Sequence, residues 1–492
     1  MRKVIEPQMK LGQVDISEIE FDLSSRDEIP RLLMGLQYIY CTPEVREEVF
    51  RILEEMIPRG IDANTGRPGM VMWKILVLGT LRLNCNWDYD KAKEIADHHD
   101  TLRMMLGHGA DEKDYRYPLQ TIKDNVSLFT PAVLDKINQV VVKAGHELVR
   151  EKGEKIRGRC DSTVVETNVH FPTDINLLLD AICKVITLIA KLCGLAGLSV
   201  WRQSSYNLNK VKRLYRKAQN LKRSKAKSEK KRKEREREII EAHREYTDVA
   251  EGFLEKARMT LPFLQQMSIF SSLICDEIER YMRHAERQID QIRRRVIGGE
   301  RIPHDEKVFS IFEEHTEWIR KGKAGVPQEL GLMVCVMEDQ YGFILHHMVM
   351  QKTTDEVVGV SFVEQTKSRY PDLGSCSFDR GFYTPDNLVQ LNEILDLVVL
   401  PKKGKLSQEE QREANSEEYV GQRRQHSAIE SAINALENHG FDRCPDHDIG
   451  GFERYVALAV LARNIQNLGN IIFQIKKSKR TEQQKRSYRK IS

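Results

Sequence analysis

The 492-residue sequence contains no Cys-x-x-Cys pair, and its nine cysteines are an odd number. That weighs against a zinc ribbon or a disulfide framework and points to a reducing cytosol. Met1 to Glu20 has no apolar run of the kind that opens a secretory signal. Net charge is almost absent, +4 from 77 basic and 73 acidic residues, so the distribution of charge matters more than its sum. The nearest approach to a membrane span is Ile175 to Val200, and it carries Asp180, Lys184 and Lys191 along one helical stripe. Two lysines at a bilayer centre would cost about 2.5–3.5 kcal/mol each. An amphipathic helix in a cytoplasmic protein, with no membrane partner, is the expectation. No helix-turn-helix stands out in the first 150 residues.

What is present is a mixed α/β chain long enough for more than one domain. Residues 1–150 read as a helical N-terminal domain for DNA binding or dimerisation. Its helices are expected over Pro43 to Ile57 with Thr42 as N-cap, over the almost wholly apolar Met70 to Leu83, over Tyr89 to His98, and over Pro131 to Glu151. From Asp174, capped by Thr173, to Val296 the pattern is helical, with Pro262 as the one strong breaker. This suggests two long helices or a helical hairpin with Leu208, Val211, Leu214 and Leu221 in a sparse apolar seam. Lys210 to Glu238 holds fifteen Lys or Arg against four Glu. Such a run is either a solvated face or a contact for a polyanion, where each neutralised phosphate releases counterions.

Strands are expected at Lys307 to Phe312 and in a hairpin, Leu330 to Met337 and Phe343 to Met350. A helix over 355–370 and a strand from Ser375 to Phe378 follow. Next come a helix over Pro385 to Ile394 capped by Thr384, a strand at Leu395 to Leu400, and helices over Arg424 to Asn438 and Gly451 to Phe473. The basic tail, Lys476 to Lys490, reads as disordered.

The chemistry centres on Arg157 to Asp174. β-Formers dominate to Asn168, placing Asp161 mid-strand with Arg159, Thr163 and Val165 on its face. The plain alternative is a paired structural aspartate, or an edge strand that leaves it wet. A second aspartate, Asp379, stands at the end of a later strand, and Glu430 on a helix beyond it. Three ionised carboxylates can share a site only if cations neutralise them, and oxygen-only ligands suit Mg²⁺ or Mn²⁺. Two such ions would suit phosphoryl transfer. Glu437 lies seven residues after Glu430 on the same helix face, about 10 Å away along the axis, so one metal pair can hardly use both.

Cys160-Asp161-Ser162-Thr163-Val164-Val165-Glu166-Thr167-Asn168, running on to His170-Phe171-Pro172-Thr173-Asp174, resembles the first-aspartate motif of bacterial insertion-sequence DDE transposases akin to the insertion-sequence-five group. Phe378-Asp379-Arg380-Gly381-Phe382-Tyr383 and Arg423-Arg424-Gln425-His426-Ser427-Ala428-Ile429-Glu430-Ser431 resemble the later motifs. Gly66-Arg67-Pro68 through Leu102 to Gly109 is similar to the family's helical N-terminal domain. Where the related pattern has basic residues four before and seven after the glutamate, this chain has His426 and Glu437.

The resemblance implies an RNase H-like catalytic core at 151–175 and 300–474, interrupted by a basic helical insertion at 176–299 and followed by a tail at 475–492. It implies metal-dependent cleavage and strand transfer on double-stranded DNA, at terminal inverted repeats and a target, by a homo-oligomer. Asp161, Asp379 and Glu430 would hold two Mg²⁺ or Mn²⁺ ions. Glu430 is preferred to Glu437 because it takes the family-like position after Ala428-Ile429, with His426 and Arg423 one and two turns before it. Arg380, Lys402, Lys403, Arg423 and Arg424, with Lys321 and Lys323, are the candidate DNA contacts. His439, Cys444 and His447 lack a fourth ligand at zinc spacing and read as core or capping residues.

Overall fold

The computed structural model describes residues 2–57, 69–223, 228–320 and 328–491. Helices come first: α1 (Glu28–Cys41), α2 (Pro43–Glu54), α3 (Met72–Asn84), α4 (Tyr89–His98), α5 (Asp100–Met105), α6 (Leu119–Val126) and α7 (Pro131–Val149). Asp27, Asp88 and Thr130 each accept a hydrogen bond from the first turn that follows them. Pro43 and Pro131 open their helices where no N–H is needed. Every residue of α3 except Lys74 is buried, as its nearly unbroken apolar run implies.

β1 (Ile156–Thr167) leads into a second compact unit, Val169–Trp318. Its helices are α8 (Asp174–Leu195), α9 (Ser204–Arg223), α10 (Glu229–Gln265) and α11 (Ile269–Ile292). They enclose their own core, including Ile182, Val185, Leu254, Ile278 and Ile289, which also buries Val211 and Leu214 of the expected seam. Thr173 caps α8 as expected. Pro262 does not break the run. It lies in the last turn of α10, where its missing N–H removes one bond, and the chain reverses four residues later, before Ser268 caps α11. No strand forms over 307–312. There the Ser310 hydroxyl accepts from the N–H groups of Phe312 and Glu313, turning the backbone instead of extending it.

The first unit resumes near β2 (Glu317–Ile319) with β3 (Glu329–Glu338), β4 (Ile344–Met350), α12 (Asp355–Arg369), β5 (Leu373–Phe378), α13 (Pro385–Ile394) and β6 (Leu397–Val399). Then come α14 (Gln408–Ala414), α15 (Glu417–Gln425), α16 (Ser427–Leu436), β7 (Arg443–Cys444) and α17 (Asp448–Ile491). The strands pair in the order β4-β3-β1-β5-β6, antiparallel across β4, β3 and β1 and parallel from β1 through β6. β7 pairs with the end of β1. β1 is therefore a central strand, which removes the wet-edge alternative for Asp161.

Residues 1–150 do not form a body of their own: they share one compact unit with the sheet. α17 packs on α1, α3 and α7. Asn464 of α17 donates to Asn138 of α7 and accepts from the N–H of Ile344 in β4. His146 of α7 meets Asp339 at 2.5 Å, both buried. Gly35 of α1 and Gly469 of α17 let those helices cross so closely that a Cβ on either would overlap the other's backbone. These contacts explain the merger, since α3, α7 and α17 have too much apolar surface to be covered without one another.

Among the described residues α17, not Ile175 to Val200, is the one helix long and apolar enough to cross a membrane, and 72% of its most apolar window is buried in the protein. It runs on to Ile491, so the segment expected to be a disordered tail continues the helix.

Candidate active site

The sheet itself brings the two aspartates together. β1 and β5 run parallel with Cys160 beside Phe378. Continuing that register by one residue sets Asp161 next to Asp379, at a strand spacing near 4.8 Å and on the same side of the sheet. Asp379 is exposed at the strand's end, whereas Asp161 is only partly accessible. α16 packs across β1 and carries Glu430 toward the same place.

The electrostatics record this convergence. Burial raises the Asp161 carboxyl to about 6; the Ser162 N–H, donating to its Oδ1 at 2.7 Å, opposes the rise, and the Asp379, Asp355 and Glu430 charges add to it. Asp355 is the member that the sequence reading missed. It opens α12, hydrogen-bonds the Ser162 side chain, and is itself shifted upward by burial and by Asp379. A Cβ on Gly381 would stand 2.9 Å from its Oδ2, so the loop after Asp379 closes directly onto it. An acidic residue in a helix's first turn is ordinary complement to the helix dipole, which is why sequence alone offered no signal.

Glu437 has a different neighbour: Thr163 donates to its Oε1 at 3.3 Å. The Glu430 charge also pushes the Asp161 carboxyl upward, after burial, Asp379 and Asp355. His426 sits between β5 and α16, its Nδ1 3.0 Å from the Ser377 hydroxyl. Burial lowers its pKa even though Asp379 and Glu430 pull it upward. Arg159, on the Asp161 face, pairs with Glu338 at 3.0 Å, reaches the carbonyl of Asp339, and donates to the carbonyl of Gln425 at 3.5 Å.

The donor set suits a hard divalent cation. Asp355 Oδ1 is buried without a hydrogen-bond partner, and Asp161 and Asp355 both carry burial and like-charge repulsion. The cation acting on Asp355 is Lys403, whose ammonium lies 3.5 Å from Glu356. Among the described residues no three His, Cys, Asp or Glu side chains are gathered tightly enough to hold an ion as they stand. Ion binding therefore requires the acidic rotamers to turn toward one another.

The basic candidates divide. Arg380, Lys402 and Arg423 line one cleft of about 180 Å³, with Lys402 paired to Glu410 at 2.6 Å. Lys403 stands by the Gly381 carbonyl, and Arg424 is exposed at the end of α15. Lys321 and Lys323, and the Gly66-Arg67-Pro68 stretch, lie outside the described residues. His439 pairs with Glu28 and Cys444 is buried against the carbonyl of Asp446, so the two serve the packing. No family model, no curated protein and no solved structure matches the chain.

Proposed function

We propose that the chain is a DNA transposase that cleaves the ends of an insertion sequence and joins them to a target, on an RNase H-like core. The observation that carries the reading is the register of β1 and β5, which sets Asp161 and Asp379 side by side with Asp355 and Glu430 next to them. The strand order, three antiparallel strands followed by parallel ones, supports that core. Asp161 and Asp379 would hold Mg²⁺ or Mn²⁺, Glu430 would complete the set, and Asp355 has an unpartnered oxygen to offer. Two bound divalent ions supply Lewis acidity and lower the pKa of an attacking water or 3′-hydroxyl.

The chain's own residues do the rest. Asp379 and Glu430 are exposed, so the site is an open shelf that a duplex backbone can reach. Arg380, Lys402 and Arg423 hold phosphates beside it, positioning the strand without reading bases. The neutral His426 ring is kept in place by Ser377 and adds no charge to compete with the cations. The basic run of α9 and α10 gives the second unit a largely exposed face for the backbone of a long substrate. The reading entails a protein that works on double-stranded DNA in the bacterial cytoplasm, as a homo-oligomer on its DNA.

The test is a cleavage and joining assay on DNA carrying the sequences that flank the coding frame. Asp161→Asn and Asp379→Asn should remain folded and lose Mg²⁺-dependent cleavage, and EDTA should silence the wild type. Ample cleavage by either variant ends the proposal; nicks without joined products would make the chain a metal-dependent nuclease. Neutralising six of Lys210 to Arg237 should flatten the log–log salt dependence of DNA binding by about five, at roughly 0.9 per phosphate contact. An unchanged slope returns that face to simple solvation.

A further inference from the structure

The second unit ends in a surface that its own core does not use. Met259, Phe263 and Met267 at the end of α10, and Ile269, Phe270 and Leu273 at the start of α11, are between 50% and 86% exposed. They follow one another around a single helix reversal. No charged residue occurs between Arg258 and Asp276, in a sequence that is 30% charged overall. The connection between α8 and α9 joins the same surface. Lys256 donates to the carbonyl of Val200 at 2.8 Å and Trp201 to the hydroxyl of Thr260, which fixes the exposed Val200 beside this tip.

Monomers rarely expose contiguous apolar patches beyond a few hundred Å². At roughly 200 Å² for a large apolar side chain, the six exposed fractions amount to about 800 Å², the area that one partner contributes to a standard interface. We propose that this tip is a self-association surface, on which a second copy of the chain docks through the same α10–α11 tip. Charge selects the occupant. A two-fold contact puts each residue type against a copy of its neighbours, so any net charge on the patch would repel itself. The tip is uncharged, whereas the basic run of α9 and α10 would strongly oppose such pairing. The apolar, methionine- and phenylalanine-bearing composition is also that of an interface centre. The homo-oligomer of the proposed function could use this contact, but the inference is argued from the tip alone, and its test uses neither DNA nor metal.

Sedimentation velocity of the full chain should show a monomer–dimer equilibrium. The double variant Phe263→Glu, Phe270→Glu should raise the dissociation constant at least 100-fold. Both side chains are exposed, so its circular dichroism should match the wild type, as should its melting at concentrations where both are monomeric. Val389→Glu, at an exposed apolar position of the first unit, should leave association unchanged. Hydrogen exchange of the wild-type protein at low and high concentration gives a second measurement that needs no variant. Residues 259–273 should gain protection as dimer forms. A wild-type chain that stays monomeric at 100 μM overturns the proposal, as does a dimer that the double variant preserves. Flotation of a monomeric wild-type protein with vesicles of phosphatidylcholine and phosphatidylglycerol would assign the tip to a lipid surface, also overturning it.

Discussion

Replacing Asp161 by Asn should stabilise the protein while removing its proposed activity. Asp161 is central in the sheet, half-buried, and surrounded by the charges of Asp379, Asp355 and Glu430. Its carboxyl is raised from 3.8 to about 6. At about 1.4 kcal/mol per pKa unit, the ionised form costs roughly 3 kcal/mol once the pH is above both values. The sign follows from proton binding. Between pH 3.8 and 6 the folded chain keeps a proton that the unfolded chain has released, so stability falls as pH rises through that window. Asn retains the Oδ1 that accepts from Ser162 and carries no charge, so it avoids most of the cost. In EDTA at pH 8, thermal unfolding of Asp161→Asn should therefore occur several degrees above that of the wild type. The difference should shrink as pH falls toward 4. Adding millimolar Mg²⁺ should raise the wild-type transition more than the variant's, because a cation that binds only the folded state stabilises it by mass action. A variant that melts at or below the wild type at pH 8 in EDTA would show that these carboxylates do not share a site.

Glu430→Gln should abolish cleavage and weaken Mn²⁺ binding, whereas Glu437→Gln, whose Oε1 can still accept from Thr163, should keep both; the reverse result would move the third ligand by two turns. His346 is pushed down to about 2 by burial and by Arg369, which donates to its Nδ1 at 2.7 Å, a bond that a protonated ring cannot accept. Stability conferred by this neutral ring should thus decline below its unfolded value of 6.5, by up to about 1.4 kcal/mol per pH unit. Urea titrations from pH 7 to 5 should show that slope in the wild type and a shallower one in His346→Gln. Gly469→Ala should destabilise the first unit by at least about 1–3 kcal/mol through overpacking against Arg31, exceeding the roughly 1 kcal/mol that Ala gains in helix propensity. A neutral or higher midpoint would mean that α1 and α17 do not cross there.

Much of the local structure was legible from the sequence because it is set by near neighbours. Tyr89 to His98 and Pro385 to Ile394 begin and end where their caps and prolines place them, and the hairpin of β3 and β4 forms from the two strand runs expected on either side of its turn. Asp161, Asp379 and Glu430 could likewise be nominated as candidates, each inside a short motif on an element whose type was clear. What the sequence could not express is anything fixed by two distant segments at once. The register of β1 against β5, which makes Asp161 and Asp379 neighbours, is a pairing of strands more than two hundred residues apart. Asp355 belongs to the cluster only because α12 is laid against the loop after Asp379. The helices before residue 150 read as a separate domain, since nothing in their own pattern reveals that α17 must fill the space between them and the sheet. Glu430 and Glu437 lie on one face of one helical stretch and are equivalent by periodicity. Only the position of Thr163 on the central strand gives the second glutamate its own partner, because side-chain pairing is decided by the fold that brings the elements together.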